Sequence, residues 1–205
     1  QTLAGLRRLL ARGIRLAVCS GKPLAHLCGL LRQAGLPEAI VMGENGAVTQ
    51  FGIALPPEKH YRLPFDAAAA RRLAGIKALI EEKISPVPWF QPNEVVLTPF
   101  FSSPAQRLAL KALLSDSVKA DTGLELFEHA DSFDICPAGI SKGKALQRLI
   151  RELGLAKNQA AAVGDGENDV PLWAEAGLKV QVGSRDLADV DLRAGSILEA
   201  IEAIG

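Results

Sequence analysis

The chain has 205 residues, of which 48% are hydrophobic and 22% charged, a composition that describes an ordinary soluble protein able to bury a core. Lys and Arg total 23 and Asp and Glu total 23, a balance that argues against nucleic acid or an anionic membrane surface as the main partner. No apolar run approaches the ~20 residues of a membrane span, no signal peptide is visible, and Cys19, Cys28 and Cys136 lack C-x-x-C spacing, so they read as reduced cytosolic thiols with no zinc site.

At this length a main domain with an insertion is expected. Leu3, Leu6, Leu9 and Leu10 share one helical face, and Gly13 ends that helix. Residues 14–19 read as a strand, followed by Ser20-Gly21-Lys22 and a helix opening at Pro23. A short strand at 39–42 leads into Gly43-Glu44-Asn45-Gly46. The middle of the chain is different and carries Pro86, Pro88, Pro92, Pro99 and Pro104. Its expected elements are a helix at 67–83, a strand at 94–98, a helix at 104–114, and a hairpin of 124–129 and 132–136 around Ala130-Asp131. Beyond Lys142 the α/β alternation resumes: a helix with Ala145, Leu146, Leu149, Ile150 and Leu153 in its stripe, a strand at 160–163, a helix through Trp173, a strand at 178–182 and a helix near 196–204. Strands alternating with helices imply a doubly wound parallel sheet. The expected division is a core of residues 1–49 and 138–205, with residues 50–137 inserted as a small α+β cap, since an insertion of that size exceeds ordinary loop lengths.

Gly164-Asp165-Gly166-Glu167-Asn168-Asp169, directly after the apolar run at 160–163, is the most informative stretch. A buried strand delivers two carboxylates and a carboxamide into one tight loop, and Pro171 falls in the first turn of the next helix. Hard oxygen ligands beside a helix N-terminus suit Mg²⁺ together with a phosphate, while a solvated turn with a helix cap is the alternative. Ser20 follows a strand and precedes a helix, so its hydroxyl can face an oxyanion or serve as a plain cap. Lys142 opens a helix, where a cation opposes the helix dipole, and this implies a local anionic partner unless the side chain is simply solvated. Lys144 reads as solvated. Asn45 sits in a Gly-flanked turn, where Asn is also common for conformational reasons. His26, His60 and His129 are scattered and read as surface or packing residues.

Four segments occur in order: Cys19-Ser20-Gly21-Lys22, Glu44-Asn45-Gly46-Ala47, Ser141-Lys142-Gly143-Lys144-Ala145-Leu146 and Gly164-Asp165-Gly166-Glu167-Asn168-Asp169, with a cap-sized insertion between the second and third. Together they resemble the haloacid dehalogenase (HAD) superfamily of phosphatases, in the Cof-type branch with the larger cap, over nearly the whole chain. The resemblance implies a Rossmann-like core and hydrolysis of a small phosphomonoester through an aspartyl-phosphate, with Mg²⁺ bound throughout. It implies that Ser20 hydrogen-bonds the transferring phosphoryl group and that Lys142 neutralises its charge. Asp165 and Asn168 would help hold Mg²⁺, with Asp169 a direct or more distant ligand, and Gly21, Lys22, Asn45 and Gly46 would line the substrate side. Such roles suit phosphoryl transfer, which is mostly positioning and charge stabilisation.

The chain departs from that pattern in one respect. The family's nucleophile and its acid/base partner belong to an Asp-x-Asp motif ending the first strand, and nothing before Leu3 supplies it. Asp66, Asp116, Asp121, Asp131 and Asp134 fall in the cap region without that spacing, and the Asp189/Asp191 pair reads as a surface turn. The expectation is a HAD-type phosphatase seen without its first strand, inactive as it stands, with a strand-wide slot between 14–19 and 160–163. The rival is a scaffold that has lost the nucleophile and only binds a phosphorylated ligand. A Rossmann-type nucleotide enzyme is disfavoured because no G-x-G-x-x-G follows a first strand. By family analogy the substrate is a small phosphorylated metabolite such as phosphoglycolate, mannosyl-phosphoglycerate, a sugar phosphate or pyridoxal phosphate. The protein is expected in the cytoplasm as a monomer or homodimer, with no nucleic-acid or membrane partner.

Overall fold

The computed structural model describes residues 1–63, 67–119 and 123–205. The aspartates at 66 and 121 considered above lie outside the described residues. Helix α1 (Thr2–Ala11) is followed by β1 (Ala17–Cys19), α2 (Leu24–Ala34) and β2 (Ile40–Gly43). Gly35 takes a left-handed conformation, φ 65°, and ends α2. β1 and β2 run parallel, with Cys19 opposite Met42. Successive residues of β2 face different helices: Val41 packs with Leu27 and Leu31 of α2, whereas Ile40 and Met42 pack with Ala145 and Leu149. That period-two alternation, apolar on both sides, belongs to a strand covered on both faces.

After a 3-10 turn at Glu44–Gly46, β3 (Val48–Phe51) and β4 (Lys59–Arg62) extend the same sheet in the order β1-β2-β3-β4. Both additions are antiparallel, so this sheet is mixed and its hydrogen bonding continues through Arg62, beyond residue 50. The apolar pattern concealed β3 because Thr49 and Gln50 are adjacent polar residues that are nonetheless buried, so the segment shows no alternation.

Helix α3 (Ala67–Lys83), β5 (Trp89–Phe90), β6 (Pro99–Phe100), α4 (Pro104–Lys119), β7 (Leu124–Glu128) and β8 (Phe133–Pro137) come next. They pack around their own apolar cluster, in which Ile76 and Ile80 of α3 meet Leu110 and Leu114 of α4 and Phe133 and Ile135 of β8. β5–β6 and β7–β8 are antiparallel pairs, and the second is the hairpin expected around Ala130-Asp131. Segment 94–98 does not form the expected strand. Only Leu97 bridges to Ile135, because the backbone N–H groups of Glu94, Val95 and Val96 are bound by the Glu44 carboxylate instead.

The remaining elements are α5 (Lys142–Glu152), β9 (Ala161–Gly164), α6 (Val170–Ala174), β10 (Leu178–Val182), β11 (Leu192–Ala194) and α7 (Ile197–Ile204). β9, β10 and β11 are parallel, in the order β11-β10-β9. α5 joins the two sheets: Ala145 and Leu149 pack on β2, while Leu146 and Ile150 join a cluster with Ala162 and Trp173. Among the described residues β1 pairs only with β2 and β9 only with β10, so 14–19 and 160–163 do not pair directly. The architecture is α/β and Rossmann-like, with helices flanking parallel strands. No helix among the described residues is long and apolar enough to cross a membrane.

Candidate active site

Lys142 occupies the first turn of α5, where Ser141 caps the helix by accepting the Lys144 N–H at 3.3 Å. A cation there lies against the helix dipole, and the anionic partner is Asp169: Lys142 Nζ donates to Asp169 Oδ1 at 2.6 Å. Both side chains are buried, at 8% and 6% exposure. The second oxygen of the same carboxylate accepts the N–H groups of Asp165 (2.9 Å) and Gly166 (3.0 Å). Asp169 therefore holds the loop after β9 in shape and ties it to α5 across the sequence. Gly143 makes the approach possible, since a Cβ there would stand 2.3 Å from the Pro171 carbonyl oxygen.

The loop after β2 enters the same region. Glu44 and Asn45 both lie at positive φ, 54° and 58°, and both are buried. Asn45 N–H donates to the Ser20 carbonyl at 2.9 Å, and its Oδ1 accepts from Asn168 Nδ2 at 3.5 Å. A Cβ on Gly46, φ 90°, would fall 2.2 Å from the Ala145 Cβ, so the turn sits directly against α5. The structure thus brings Ser20, Gly21, Asn45, Gly46, Lys142, Asp165, Asn168 and Asp169 into one connected group. Lys22 differs: its ammonium lies 4.9 Å over the ring of Phe100, turned towards β6. The Ser20 hydroxyl accepts a long bond from Lys22 N–H at 3.3 Å, which leaves its own proton free to be donated.

Three residues that the sequence did not single out complete the group. Glu44, 1% exposed, accepts N–H groups from Glu94 (2.8 Å), Val95 (2.8 Å) and Val96 (3.0 Å). This clasps segment 94–96 to the turn after β2, and Gln91 adds a bond to the Gly21 carbonyl at 2.8 Å. Asp134 on β8 is buried and accepts from Thr98 Oγ1 (2.7 Å) and Asn45 Nδ2 (2.7 Å), with His129 Nε2 at 3.1 Å. The hydrogen bond to Asp134 raises the His129 pKa above its ordinary 6.5, opposed by burial and by the charge of Lys142. His129, read from sequence as a surface or packing residue, is therefore part of the group. Glu44 offered one signal, a charged residue within a Gly-flanked turn, whereas Asp134 and His129 offered none. Burial pushes the half-buried Cys19 thiol at the end of β1 up to about 12, with Lys142 pulling it down and Asp169 adding to the rise.

The oxygens differ in availability. Both Asp169 oxygens are engaged, while the exposed Asp165 carboxylate has no side-chain partner among the described residues. Among the described residues no group of three or more His, Cys, Asp or Glu could hold a metal on its own. A cavity of about 310 Å³ lies against Leu73, Lys77, Phe90 and the clasped segment of Glu94, Val95 and Val96, and neither Lys142 nor Asp169 lines it.

Residues 79–186 match the family model described as haloacid dehalogenase-like hydrolase. The chain is 28% identical over 184 residues to a phosphoglycolate phosphatase of Methanoculleus marisnigri, covering 86% of this chain and 73% of that protein. It is 33% identical over 147 residues to a phosphoserine phosphatase of Albidiferax ferrireducens, covering 69% of this chain and 59% of that one. The fold resembles that of a haloacid dehalogenase-like hydrolase from Bacteroides thetaiotaomicron, with a TM-score of 0.74 at 16% identity, over 99% of this chain and 91% of that chain. With more than half of its length matched by the family model, the chain belongs to the haloacid dehalogenase-like hydrolases.

Proposed function

We propose that the protein is a Mg²⁺-dependent phosphatase acting on a small phosphomonoester through an aspartyl-phosphate. The observation that carries this reading is the Lys142–Asp169 bond, which anchors the 164–169 loop while leaving the Asp165 carboxylate unpartnered among the described residues. One free carboxylate and the Asn168 amide oxygen make a hard, sparse donor set that fits Mg²⁺, an ion that usually keeps waters and binds substrate phosphate. When bound there it would neutralise phosphate charge. Lys142 adds a fixed positive charge, Ser20 a hydroxyl donor, and Asn45 a carboxamide on the substrate side; Gly21 and Gly46 let backbone approach closely. Lys22, turned to Phe100, belongs on this reading to the rim nearer the leaving group.

The attacking carboxylate is not among these residues. We assign it to an Asp-x-Asp strand seated between β1 and β9, a reading supported by each of these strands standing at the end of its sheet with one edge unpaired among the described residues. On this reading turnover depends on that carboxylate. Residues α3 to β8 serve as the cap and select the leaving group, with the sheet hydrogen bonding of β3 and β4 favouring a boundary after Arg62 rather than at residue 50. The names of the relatives favour a small carboxylated ester such as phosphoglycolate, in a cytoplasmic setting consistent with three free cysteines. The test is a panel of phosphate esters offered to the protein carrying the Asp-x-Asp segment, with and without Mg²⁺. Mg²⁺-dependent release of phosphate supports the reading; binding of esters without turnover replaces it with a non-catalytic phosphate-binding module.

A further inference from the structure

The turn between β7 and β8 places one titratable side chain beside the candidate site with a nitrogen unused. His129 Nε2 lies 3.1 Å from Asp134 Oδ2, the oxygen that also accepts from Asn45 Nδ2 at 2.7 Å. Asn45 in turn meets Asn168 at 3.5 Å, so imidazole, carboxylate and carboxamides form one relay down to the loop after β9. The other Asp134 oxygen is held by Thr98 Oγ1 at 2.7 Å, which fixes the carboxylate in its plane. A Cβ on Gly21 would come within 3.0 Å of Asp134, so only bare backbone separates this acid from the loop after β1. Asp134 is 3% exposed but His129 is 30% exposed, so the imidazole is the part of the pair that a ligand can reach.

The carboxylate fixes the chemistry of the ring. Beside Asp134 the Nε2 atom carries a proton in either charge state, so Nδ1 is an acceptor when the ring is neutral and a donor when it is charged. Among the described residues Nδ1 has no partner. Lys142, the cation that acts on His129, is paired with Asp169 and assigned above to the phosphate, and Lys22 lies over Phe100. A charged ring with a free N–H next to a phosphate site suits a second anion on the ester.

We propose that His129, oriented by Asp134, is the specificity-determining residue that binds a carboxylate on the leaving group of the phosphomonoester. This rests on the phosphatase reading above and deepens it: the preferred substrate is a short phosphate ester with a carboxylate at its far end. The Nδ1–H donates to that carboxylate, Asp134 holds the ring from the other side, and no covalent step is required. The pKa of His129, raised by Asp134 and Asp131 against burial and Lys142, keeps the donor form populated to a higher pH than in a free histidine.

Non-hydrolysable phosphonates separate this from turnover. 3-Phosphonopropionate carries a carboxylate, and propylphosphonate has the same length without one. Calorimetric titration of the protein with each, in the presence of Mg²⁺, gives the ratio of their dissociation constants. One charge-assisted hydrogen bond predicts a preference of roughly tenfold or more for the carboxylated ligand, and in His129→Gln a ratio close to one. A thermal melt establishes that the variant is folded. Equal affinities in the unaltered protein overturn the assignment, and so does a preference retained by His129→Gln, because a merely structural role weakens both ligands alike. Failure of both phosphonates to bind overturns the phosphate site itself, and the leaving-group reading with it.

Discussion

Lys142 and Asp169, 27 residues apart in sequence, meet at 2.6 Å with both side chains buried, and the same carboxylate shapes the loop that carries Asp165. A buried pair whose remaining lone pairs are satisfied is tolerated, but removing one partner leaves an uncompensated charge. Lys142→Ala is therefore expected to lower stability by about 3–5 kcal/mol, measured by urea unfolding. A loss below about 1 kcal/mol, the range of exposed pairs, would mean that water solvates the pair.

Asp165→Ala should behave in the opposite way. Its carboxylate is exposed and has no side-chain partner among the described residues, so the expected change in stability is within about 0.5 kcal/mol. On the proposed function the same variant loses most Mg²⁺-dependent turnover. Unchanged turnover at saturating Mg²⁺ removes Asp165 from the metal site.

Glu44→Ala strands the N–H groups of Glu94, Val95 and Val96 that its carboxylate accepts. Each buried donor left without a partner costs about 1–3 kcal/mol, less where water enters. Hydrogen exchange at Val95 and Val96 should accelerate ahead of exchange in the α3–α4 cluster. Equal acceleration everywhere would show a global loss of stability in place of a released clasp.

Gly46→Ala combines two penalties. The position has φ 90°, and the new methyl would fall 2.2 Å from the Ala145 Cβ. The turn after β2 must shift away from α5, at an expected cost of about 1–3 kcal/mol for the strained backbone before the clash is counted. A melting temperature equal to that of the unaltered protein would mean that this contact is loose.

The His129–Asp134 interaction makes a pH-dependent contribution. Because the folded pKa is raised above 6.5, the stabilisation is fully present below that value and is lost as pH rises through the folded pKa. The stability difference between the protein and His129→Gln should be largest below pH 6.5 and should fall to a constant value once pH has passed the raised folded pKa. A difference independent of pH would mean that the ring contributes by packing alone.

Much of the fold was legible because it rests on local period. The 67–83 helix follows from its own spacing and was placed at both ends, and the β7–β8 hairpin follows from its turn residues. The 94–98 segment shows where that logic stops. Val95, Val96 and Leu97 have the composition of a strand, but three of the segment's N–H groups are taken by a carboxylate about 50 residues upstream in the chain. Local propensity says what a backbone prefers when its partners are equal, and here the partner was a distant side chain.

The candidate site divides in the same way. The 164–169 loop, the Ser20 turn and the Lys142 helix start were determined by the sequence itself, because glycines, a helix start and clustered oxygen ligands constrain the chain over a few residues. Only the tertiary structure decided that Asp169 spends both oxygens on Lys142 and the loop backbone, leaving Asp165 as the available carboxylate. It also decided that Glu44 and Asp134 join the group, through bonds between segments far apart in the chain, and that His129 follows through its hairpin neighbour Asp134. Such partners are chosen by packing: burial excludes water and compels each polar group to find another, wherever in the sequence that one lies.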